Sequence, residues 1–203
     1  MTECMKTKNA KKLMFIDISR AHFHSPARRR VFVRLPPERQ RPGVCALLQK
    51  SMYGTRDAAA NFASMVMDTL RKMGFEIGKF NPCLCEHQGR DLKLFYNGDD
   101  FVCLGDDENL AWFAKTLNEY LIVKVRGILG PDPEDAKEIT LLNRLIRWEI
   151  TPSGWPCIEM EADPRHAEIV ISQLGLHRVQ GAKEVSSPGV KHSAQDYANA
   201  EEL

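Results

Sequence analysis

Two adjacent aspartates, Asp99 and Asp100, give this sequence a pair of carboxylates that could bind a metal ion. They follow Asn97-Gly98 within LKLFYNGDDFVCLG, residues 92–105, where apolar runs flank the turn residues. Two neighbouring like charges repel each other unless a cation lies beside them, and a divalent metal ion that prefers oxygen ligands is the simplest such cation. The alternative is a solvated acidic turn, and this stretch alone leaves both interpretations open.

The sequence around these carboxylates predicts a tight β-hairpin. Asn-Gly between apolar runs is typical of a hairpin, because Gly freely adopts the positive φ that two-residue primed turns require and Asn tolerates it. The turn is either type I′ centred on Asn97-Gly98 or type II′ centred on Gly98-Asp99. Either geometry places Asp99 and Asp100 at the hairpin tip.

A third aspartate, Asp17, lies near the end of LMFIDI, residues 13–18, an apolar run that is typical of a buried central strand. A carboxylate there is costly unless it is paired or binds a metal ion. Alternatively, Asp17 caps the turn that follows the strand, and the strand alone leaves both interpretations open.

The order of the elements predicts how Asp17 meets the hairpin. Residues 13–126 give strand, helix, strand, tight hairpin, strand, helix and strand, which is the βαββαβ order of ferredoxin-like sheets. In that order the first and third strands pair at the centre of the sheet, which would bring Asp17 beside Asp99 and Asp100. We therefore expect an α+β fold in which three carboxylates converge, an arrangement that would be destabilising without a cation.

Residue patterns predict the individual elements. Strands are predicted at 13–18, 31–35, 44–48, 83–87, 92–97, 101–105 and 121–127. Inward-facing residues of one helix, which ends at Gly74, are predicted to be Phe62, Met65, Val66, Thr69, Leu70 and Met73. A second helix is predicted at 108–119, with Asp106 or Asp107 as N-cap. Farther on we predict one strand at 139–150, a turn at 151–154, a return strand to about 162 and a helix from Asp163-Pro164 to Gly175.

Composition narrows the class of protein. A 203-residue chain that is 43% hydrophobic can bury a core, and a net charge of +1 does not indicate a uniformly basic nucleic-acid binder. The run Arg28-Arg29-Arg30 could contact phosphates or form a solvated face.

We expect no membrane span and no signal peptide, hence a cytoplasmic protein with reduced cysteines. Cys83 and Cys85 with His87 lack a second ligand pair, so we favour a structural role there over a zinc site.

Six ordered motifs resemble the reverse transcriptase domain of Copia-type LTR retrotransposon polyproteins. The family's first catalytic motif is matched by FIDISRAHFHSPARRRVFVRLP, and its Leu-x-Lys-Ser-Leu-Tyr-Gly-Leu-Lys segment by VCALLQKSMYGTRDAAANFASMVMDTLRKMGF. The Asp-Pro-Cys-Leu-Tyr motif and the Tyr-x-Asp-Asp hairpin are matched by FNPCLC and LFYNGDDFVCLG. Later segments near the primer and the thumb are matched by LIVKVRGILG with LLNRLIRWEI, and by ADPRHAEIVISQLGL. The resemblance covers roughly residues 13–190.

The resemblance implies an RNA-directed DNA polymerase whose palm has the ferredoxin-like βαββαβ fold. Asp17, Asp99 and Asp100 would be the catalytic residues and the ligands of two Mg²⁺ or Mn²⁺ ions that promote attack of a primer 3′-hydroxyl on the α-phosphate of a deoxynucleoside triphosphate. Residues matching positions that border the incoming nucleotide or the template are Ile18, Ser19, Arg20, Ala21, His22, Tyr53, Gly54 and Arg56. The implied partners are an RNA or DNA template-primer and deoxynucleoside triphosphates, and a virus-like particle or the nucleus is the alternative location.

The chain also departs from the family pattern. His22 stands at the aromatic position that discriminates against the ribose 2′-hydroxyl, which leaves sugar selectivity open, and Asn97 stands at the Tyr of Tyr-x-Asp-Asp.

We expect a basic tail at 1–12, the palm at 13–127, a connecting hairpin and thumb-proximal helix at 128–180, and a loose tail at 181–203. Fingers, integrase and ribonuclease H segments are expected to be missing, so the activity of this fragment alone stays open. The alternatives are a catalytically dead retroelement remnant and a metal-independent RNA-binding module of ferredoxin-like fold.

Overall fold

The structure of the protein is a computed structural model that describes residues 11–161 and 164–174. The chain divides into two compact units, Met1–Ala162 and Asp163–Leu203. The elements, in chain order, are β1 (Lys12–Ile18), α1 (Ala21–His24), β2 (Phe32–Val33), β3 (Ala46–Leu47), α2 (Ala58–Lys72), β4 (Glu76–Ile77), β5 (Leu84–His87), β6 (Leu92–Asn97), β7 (Asp100–Gly105), α3 (Asp107–Leu117), β8 (Val123–Leu129), β9 (Glu138–Leu141), β10 (Arg144–Ile150), β11 (Pro156–Met160) and α4 (Pro164–Gln173).

The first unit is built on a six-stranded antiparallel sheet in the order β4-β5-β6-β7-β1-β8. A second sheet has the order β11-β10-β9, and β2 pairs with β3 in a separate ribbon. Because β1 lies between β7 and β8, the first strand of the chain occupies the interior of the sheet. The predicted α+β class is thereby confirmed, with antiparallel sheets and, among the described residues, four α-helices.

Alternation along β1 gives the large sheet two buried faces. Met14, Ile16 and Ile18 join the core formed with α2 and α3, whereas Leu13 and Phe15 join a second core with β9 and β10. Successive strand residues point to opposite faces, so this division follows directly from the apolar run. The same alternation places Asp17 on the face of Leu13 and Phe15, opposite the two helices.

Helix α2 forms where apolar residues recur every three or four positions. Phe62, Val66 and Leu70 are buried, and the backbone turns at Gly74 with φ of 88°. Glycine adopts that left-handed conformation without the steric cost that a Cβ would bring. The predicted helix and its stop are therefore confirmed, with Lys72 as the last helical residue.

Helix α3 begins after one of the two aspartates, Asp106 and Asp107, that the sequence offered as its N-cap. The Asp106 carboxylate accepts a hydrogen bond from the Asn109 backbone N–H at 2.8 Å, so Asp106 is the N-cap. Such a cap satisfies one of the backbone donors that has no partner in the first helical turn. The helix spans Asp107–Leu117, slightly offset from the predicted 108–119.

The hairpin between β6 and β7 has a two-residue turn at Gly98 and Asp99. Gly98 has φ of 63°, whereas Asp99 is not among the residues with positive φ. This pattern agrees with the type II′ alternative centred on Gly98-Asp99. Asp99 therefore lies in the turn itself, and Asp100 is the first residue of the returning strand.

The prediction of one strand over 139–150 was wrong. The chain reverses at Leu142 and Asn143, both with positive φ (48° and 60°), and forms the β9–β10 hairpin. Leucine rarely adopts positive φ, so the apolar pattern concealed the turn. Predicted strands 31–35 and 44–48 are also shorter than expected, at Phe32–Val33 and Ala46–Leu47.

Helix α4, in the second unit, agrees with the predicted helix that follows Asp163. Asp163, as the predicted cap, and the predicted tail at 181–203 lie outside the described residues, as does most of the N-terminal tail. None of the helices in the described ranges is long and apolar enough to cross a membrane.

Candidate functional site

The structure brings two of the three predicted carboxylates face to face. Asp17 on β1 and Asp100 on β7 are directly opposite each other in the antiparallel register. Cross-strand partners share one face of a sheet with their Cβ atoms about 5 Å apart, so these acids lie close enough to repel each other. On its other side Asp17 lies opposite Lys124 of β8.

Asp99 lies beside this pair, in the exposed turn. Its backbone carbonyl accepts a hydrogen bond from the Ile18 N–H at 2.9 Å, which fixes the hairpin tip to the end of β1. The predicted convergence of the hairpin tip with the end of the first strand is therefore present in the backbone. Across residues 11–161 and 164–174, however, no three His, Cys, Asp or Glu side chains are already grouped so as to hold a metal ion.

An arginine that the sequence analysis did not select contacts the pair. Arg126 on β8 donates from Nη1 to Asp100 Oδ1 at 3.2 Å and from Nη2 to the Thr140 carbonyl oxygen at 2.9 Å. The pairing register of β1 with β8 shifts between Phe15 and Ile16, next to this arginine. Such an irregularity can redirect a side chain, and it is not visible in the sequence pattern.

The electrostatic state of Asp100 reflects its crowded surroundings. Burial raises the pKa of its carboxyl group above the ordinary value, and the negative charges of Asp99 and Asp17 raise it further. Arg126 acts in the opposite direction but does not cancel these effects. Burial of the Asp100 carboxyl group is thus the main cause of its raised pKa, and the neighbouring carboxylates add to it.

Residues 18–22, predicted to lie under a bound nucleotide, form a sharp turn that leads into the short helix α1. The Ser19 N–H donates to the Ile122 carbonyl at 2.9 Å, and Arg20 has a positive φ of 56°. Ile18 and Ala21 are buried, so of this segment Arg20 is the exposed side chain. These residues continue directly from the strand that carries Asp17.

His22 and Tyr53 are brought together although the sequence separates them widely. Their rings stack with centroids 4.3 Å apart at 29°, and Phe23 meets the same tyrosine edge-on at 5.5 Å. The Tyr53 side chain is 47% exposed, so the stack has an accessible side. Buried Nδ1 of His22 has no hydrogen-bond partner among the described residues.

The remaining predicted residues belong to the loop that leads into α2. Gly54 has φ of 83°, a conformation that suits glycine at this tight turn. Arg56 is exposed and makes no hydrogen bond or ion pair with the described part of the chain. The structure therefore leaves the Arg56 guanidinium open to solvent, whereas His22 and Tyr53 form a joint surface.

The three consecutive arginines have different environments. Arg28 donates from Nη2 to Ser64 Oγ at 2.6 Å, and Arg29 pairs through Nε with Asp57 at 2.9 Å. Both contacts attach this segment to α2 and the residue before it. Only Arg30 of the three lacks such a contact among the described residues. The run is therefore neither a uniformly solvated face nor a set of three guanidinium groups free to contact phosphates.

The Cys83, Cys85 and His87 side chains are distributed along β5 and its approach. Burial raises the pKa of the Cys85 thiol to about 11, and His87 packs edge-on against Phe75 and Trp112 at 5.3 and 5.5 Å. These surroundings are those of core residues, as the sequence favoured.

Comparison with protein-family models and with curated proteins found no match to this chain. The geometry of the sheet end and the motif resemblance are therefore the grounds on which a function can be argued.

Proposed function

We propose that this chain is the palm of an RNA-directed DNA polymerase of the Copia type, which transfers a deoxynucleotide to a primer 3′-hydroxyl. The observation that carries the proposal is the placement of Asp17 opposite Asp100, next to the turn that holds Asp99. The motif resemblance assigns catalysis to these same three aspartates, of which Asp17 is distant in sequence from Asp99 and Asp100 but lies beside them at one end of the sheet.

The arrangement of strands supports a ferredoxin-like palm. The central order β6-β7-β1-β8, with α2 following β1 and α3 joining β7 to β8, has the first and third strands of a βαββαβ unit side by side. Both helices pack on one face, which leaves the carboxylates on the opposite face at a strand end. Active sites at the ends of sheet strands are held by the rigid scaffold behind them.

The donor set fits Mg²⁺ or Mn²⁺ in its chemistry. Asp17, Asp99 and Asp100 offer hard carboxylate oxygens, and burial first, then the neighbouring charges of Asp99 and Asp17, raise the pKa of Asp100. When bound, two such ions would stabilise the attacking and leaving oxygens of an in-line displacement. The three carboxylates would hold the ions, with the fixed backbone contact between Ile18 and Asp99 keeping the turn beside β1.

Other residues of the chain would bind and orient the nucleotide. The turn at 18–22 and the exposed side of the His22–Tyr53 stack lie on segments that the resemblance assigns to the incoming nucleotide. The aromatic stack offers a flat surface against a sugar or base. A histidine at the sugar-facing position has a polar ring edge, so we expect weaker exclusion of ribonucleotides than an apolar aromatic residue gives.

A recognition module that stacks RNA on its sheet is less well supported. Such a module needs exposed aromatic residues on its central strands. Phe15 on β1 is 1% exposed, because the β9–β11 sheet covers that face. A catalytically dead remnant of the same fold is the other alternative, and an activity measurement distinguishes it from a working polymerase.

The test is primer extension on an RNA template with Mg²⁺ or Mn²⁺. The chain is compared with its Asp99→Asn variant, with Asp68→Asn as a matched control on the exposed face of α2, and with a version to which a family fingers segment is added. Extension that requires Asp99 but not Asp68 would establish a working polymerase. Extension only with added fingers would mean an intact site in an incomplete enzyme, and no extension in any version would favour the dead remnant.

A further inference from the structure

The large sheet is only partly covered on the face opposite its helices. Phe15, Val102, Phe95 and Leu84 are successive cross-strand partners and therefore form one apolar row on this face, from β1 to β5. Phe15 is buried beneath the smaller sheet, Val102 and Phe95 are half-buried, and Leu84 is 50% exposed. The apolar row thus runs from the covered half of the sheet into a half that is open to solvent.

The open half of this face is concave. It holds a volume of about 750 Å³, here called the apolar concavity, which is lined by Phe95 and Val102 of the large sheet and by Leu141 and Ile146 of the smaller one. Apolar surface left in water costs free energy, and large exposed apolar patches mark sites of association. The apolar concavity is therefore a candidate docking surface for apolar side chains.

A loop that lines one side of the apolar concavity projects a phenylalanine into solvent. The Gly78 N–H donates to the Leu84 carbonyl oxygen at 2.8 Å, and the Leu84 N–H donates to the Asn81 carbonyl oxygen at 3.1 Å. A Cβ atom at Gly78 would lie 2.5 Å from the Asn81 oxygen, so the loop closes this tightly only with glycine there. Phe80, within this loop, is fully exposed. Because the loop is held by its own backbone, Phe80 does not fold back into the concavity beside it.

The charged residues around the apolar concavity balance one another. Glu76, Lys79, Glu86 and Lys93 contribute two acidic and two basic side chains to its lining. Glu76 and Glu86 are exposed cross-strand partners, and like charges in such a pair repel each other. Lys79 directly precedes Phe80, so a Phe80 side chain that enters from a second copy would bring a lysine toward these two acids. The surface is therefore complementary to itself in charge.

We propose that a second copy of this chain docks on the apolar concavity, with Phe80 of each copy inserted into the concavity of the other. A projection and a cavity side by side on one molecule fit a two-fold interface, in which the same pair of contacts occurs twice. A small apolar molecule would fill the concavity but leave Phe80 in water, and a strongly acidic or basic partner would leave two of the four charges without compensation. The dimer goes beyond the proposed polymerase activity, since its contacts involve neither the three aspartates nor the segments assigned to the nucleotide.

The interface is small but preorganised. Because the loop is already held in place, little backbone freedom is lost when Phe80 is inserted, which lowers the cost of association. Each buried phenylalanine removes about 150–250 Å² from water, so an interface centred on two of them is smaller than that of an obligate dimer. We therefore expect a reversible dimer with a dissociation constant of about 10 µM.

The test is sedimentation equilibrium of the full chain between about 1 and 200 µM. Phe80→Ser should weaken dimerisation about 100-fold, because the two-fold interface loses the side chain twice, at about tenfold for each loss. Lys79→Glu should weaken it about tenfold, and Lys79→Glu/Glu76→Lys should restore it to within about threefold of the original chain. Thermal unfolding of each variant checks that the fold is retained.

Trp155→Ser is the matched control, since it removes an exposed aromatic side chain outside the concavity and should leave dimerisation unchanged. A chain that is monomeric at about 200 µM, or a dimer that Phe80→Ser does not weaken, would overturn the proposal. Equal weakening by Trp155→Ser would overturn it in favour of general apolar association, and a monomer that binds anilinonaphthalene sulfonate in the concavity would overturn it in favour of a small apolar ligand. Asp99→Asn should dimerise as the original chain does, so loss of primer extension and loss of the dimer are separate results.

Discussion

Arg126 reaches across β1 to donate a hydrogen bond to Asp100, although β8 and β7 are not neighbours in the sheet. The same guanidinium donates to the Thr140 carbonyl on β9. One side chain therefore joins the candidate carboxylates to the smaller sheet. The Arg126 guanidinium supplies the positive charge that faces Asp100. A divalent ion that binds Asp100 has to displace this guanidinium or bind beside it.

Replacing Arg126 by Gln should strengthen the response of the protein to divalent ions. The variant loses a charge-assisted hydrogen bond at a partly exposed site, so we expect the free energy of unfolding to fall by about 1 kcal/mol. Without the arginine the carboxylates retain more negative charge, and Mn²⁺ should raise the melting temperature more than it does in the original chain. Thermal unfolding with and without Mn²⁺ measures both effects.

The control for this experiment is Arg144→Gln, at an exposed arginine whose side chain makes no hydrogen bond or ion pair with the described residues. It should leave both the melting temperature and the Mn²⁺ response unchanged. An identical Mn²⁺ response in Arg126→Gln and the original chain would mean that Arg126 does not compete with a metal ion.

Asp100→Asn should stabilise the fold at neutral pH. The pKa of Asp100 is raised in the folded state, first by burial and then by Asp99 and Asp17, so the ionised form is less favourable there than in the unfolded chain. The original chain therefore loses stability as the pH rises from the ordinary value of 3.8 through the raised value. The advantage of the variant should vanish below that window, where the carboxyl is protonated in both states.

Urea unfolding of both proteins at several pH values measures this difference. A variant that is less stable than the original at neutral pH would show that the lost contact with Arg126 outweighs the relief of burial and repulsion.

Lys12→Met should be strongly destabilising. The Lys12 side chain is 6% exposed, and its Nζ lies within 2.6 to 3.1 Å of carboxylate oxygens of Asp107, Asp132 and Asp135. Burial opposes its charge, but the three carboxylates together raise its pKa. Removing the lysine leaves the Asp135 side chain, itself 5% exposed, without its cation, and breaking a buried pair in this way costs about 3–5 kcal/mol.

Chemical denaturation of Lys12→Met and of Lys12→Met/Asp135→Asn tests this explanation. The second substitution removes the stranded charge and should recover part of the loss. Because the pKa of Lys12 is raised, its contribution should be complete below the ordinary value of 10.5 and decline as the pH rises above it. A double variant no more stable than the single one would contradict the electrostatic cause.

Leu142→Gly should stabilise the β9–β10 hairpin. Leu142 has φ of 48° and its side chain is 44% exposed, so glycine removes backbone strain at a small loss of buried area. We expect a gain of about 1 kcal/mol in the free energy of unfolding. Asn143→Gly serves as the comparison and should gain less, because asparagine tolerates positive φ. Urea denaturation that shows a loss in Leu142→Gly would contradict the strain.

Thiol labelling should separate the cysteines by burial. Cys45 is exposed, whereas Cys85 and Cys103 are buried, and burial raises the pKa of Cys85 from 9.0 to about 11. Since the thiolate is the reacting form, N-ethylmaleimide should modify Cys45 before Cys85 and Cys103, which should react only after unfolding. Peptide mapping after timed labelling measures this order, and equal rates for Cys45 and Cys103 would contradict the described core.

Much of the large sheet could be predicted from the sequence, because period-two patterns, an Asn-Gly turn and helix stops are local features. The pairing of Asp17 with the hairpin followed from element order alone. Arg126 could not be predicted, since its contact depends on a register shift between β1 and β8. The turn at Leu142 was missed because its backbone conformation contradicts its residue type, and the contacts of Arg28 and Arg29 depend on residues of a distant segment.

The position of β1 between β7 and β8 also has a consequence for how the protein folds. Strands β4 to β7 pair with their sequence neighbours, whereas β1 pairs only with strands from much later in the chain. Closing so long a loop costs chain entropy before the new contacts repay it, so non-local pairing is the slow part of folding. The hairpin that holds Asp99 and Asp100 can form early, but Asp17 joins it only when β1 is inserted. A partly folded chain that lacks this strand therefore has no assembled carboxylate pair, and the candidate site appears only as the sheet is completed.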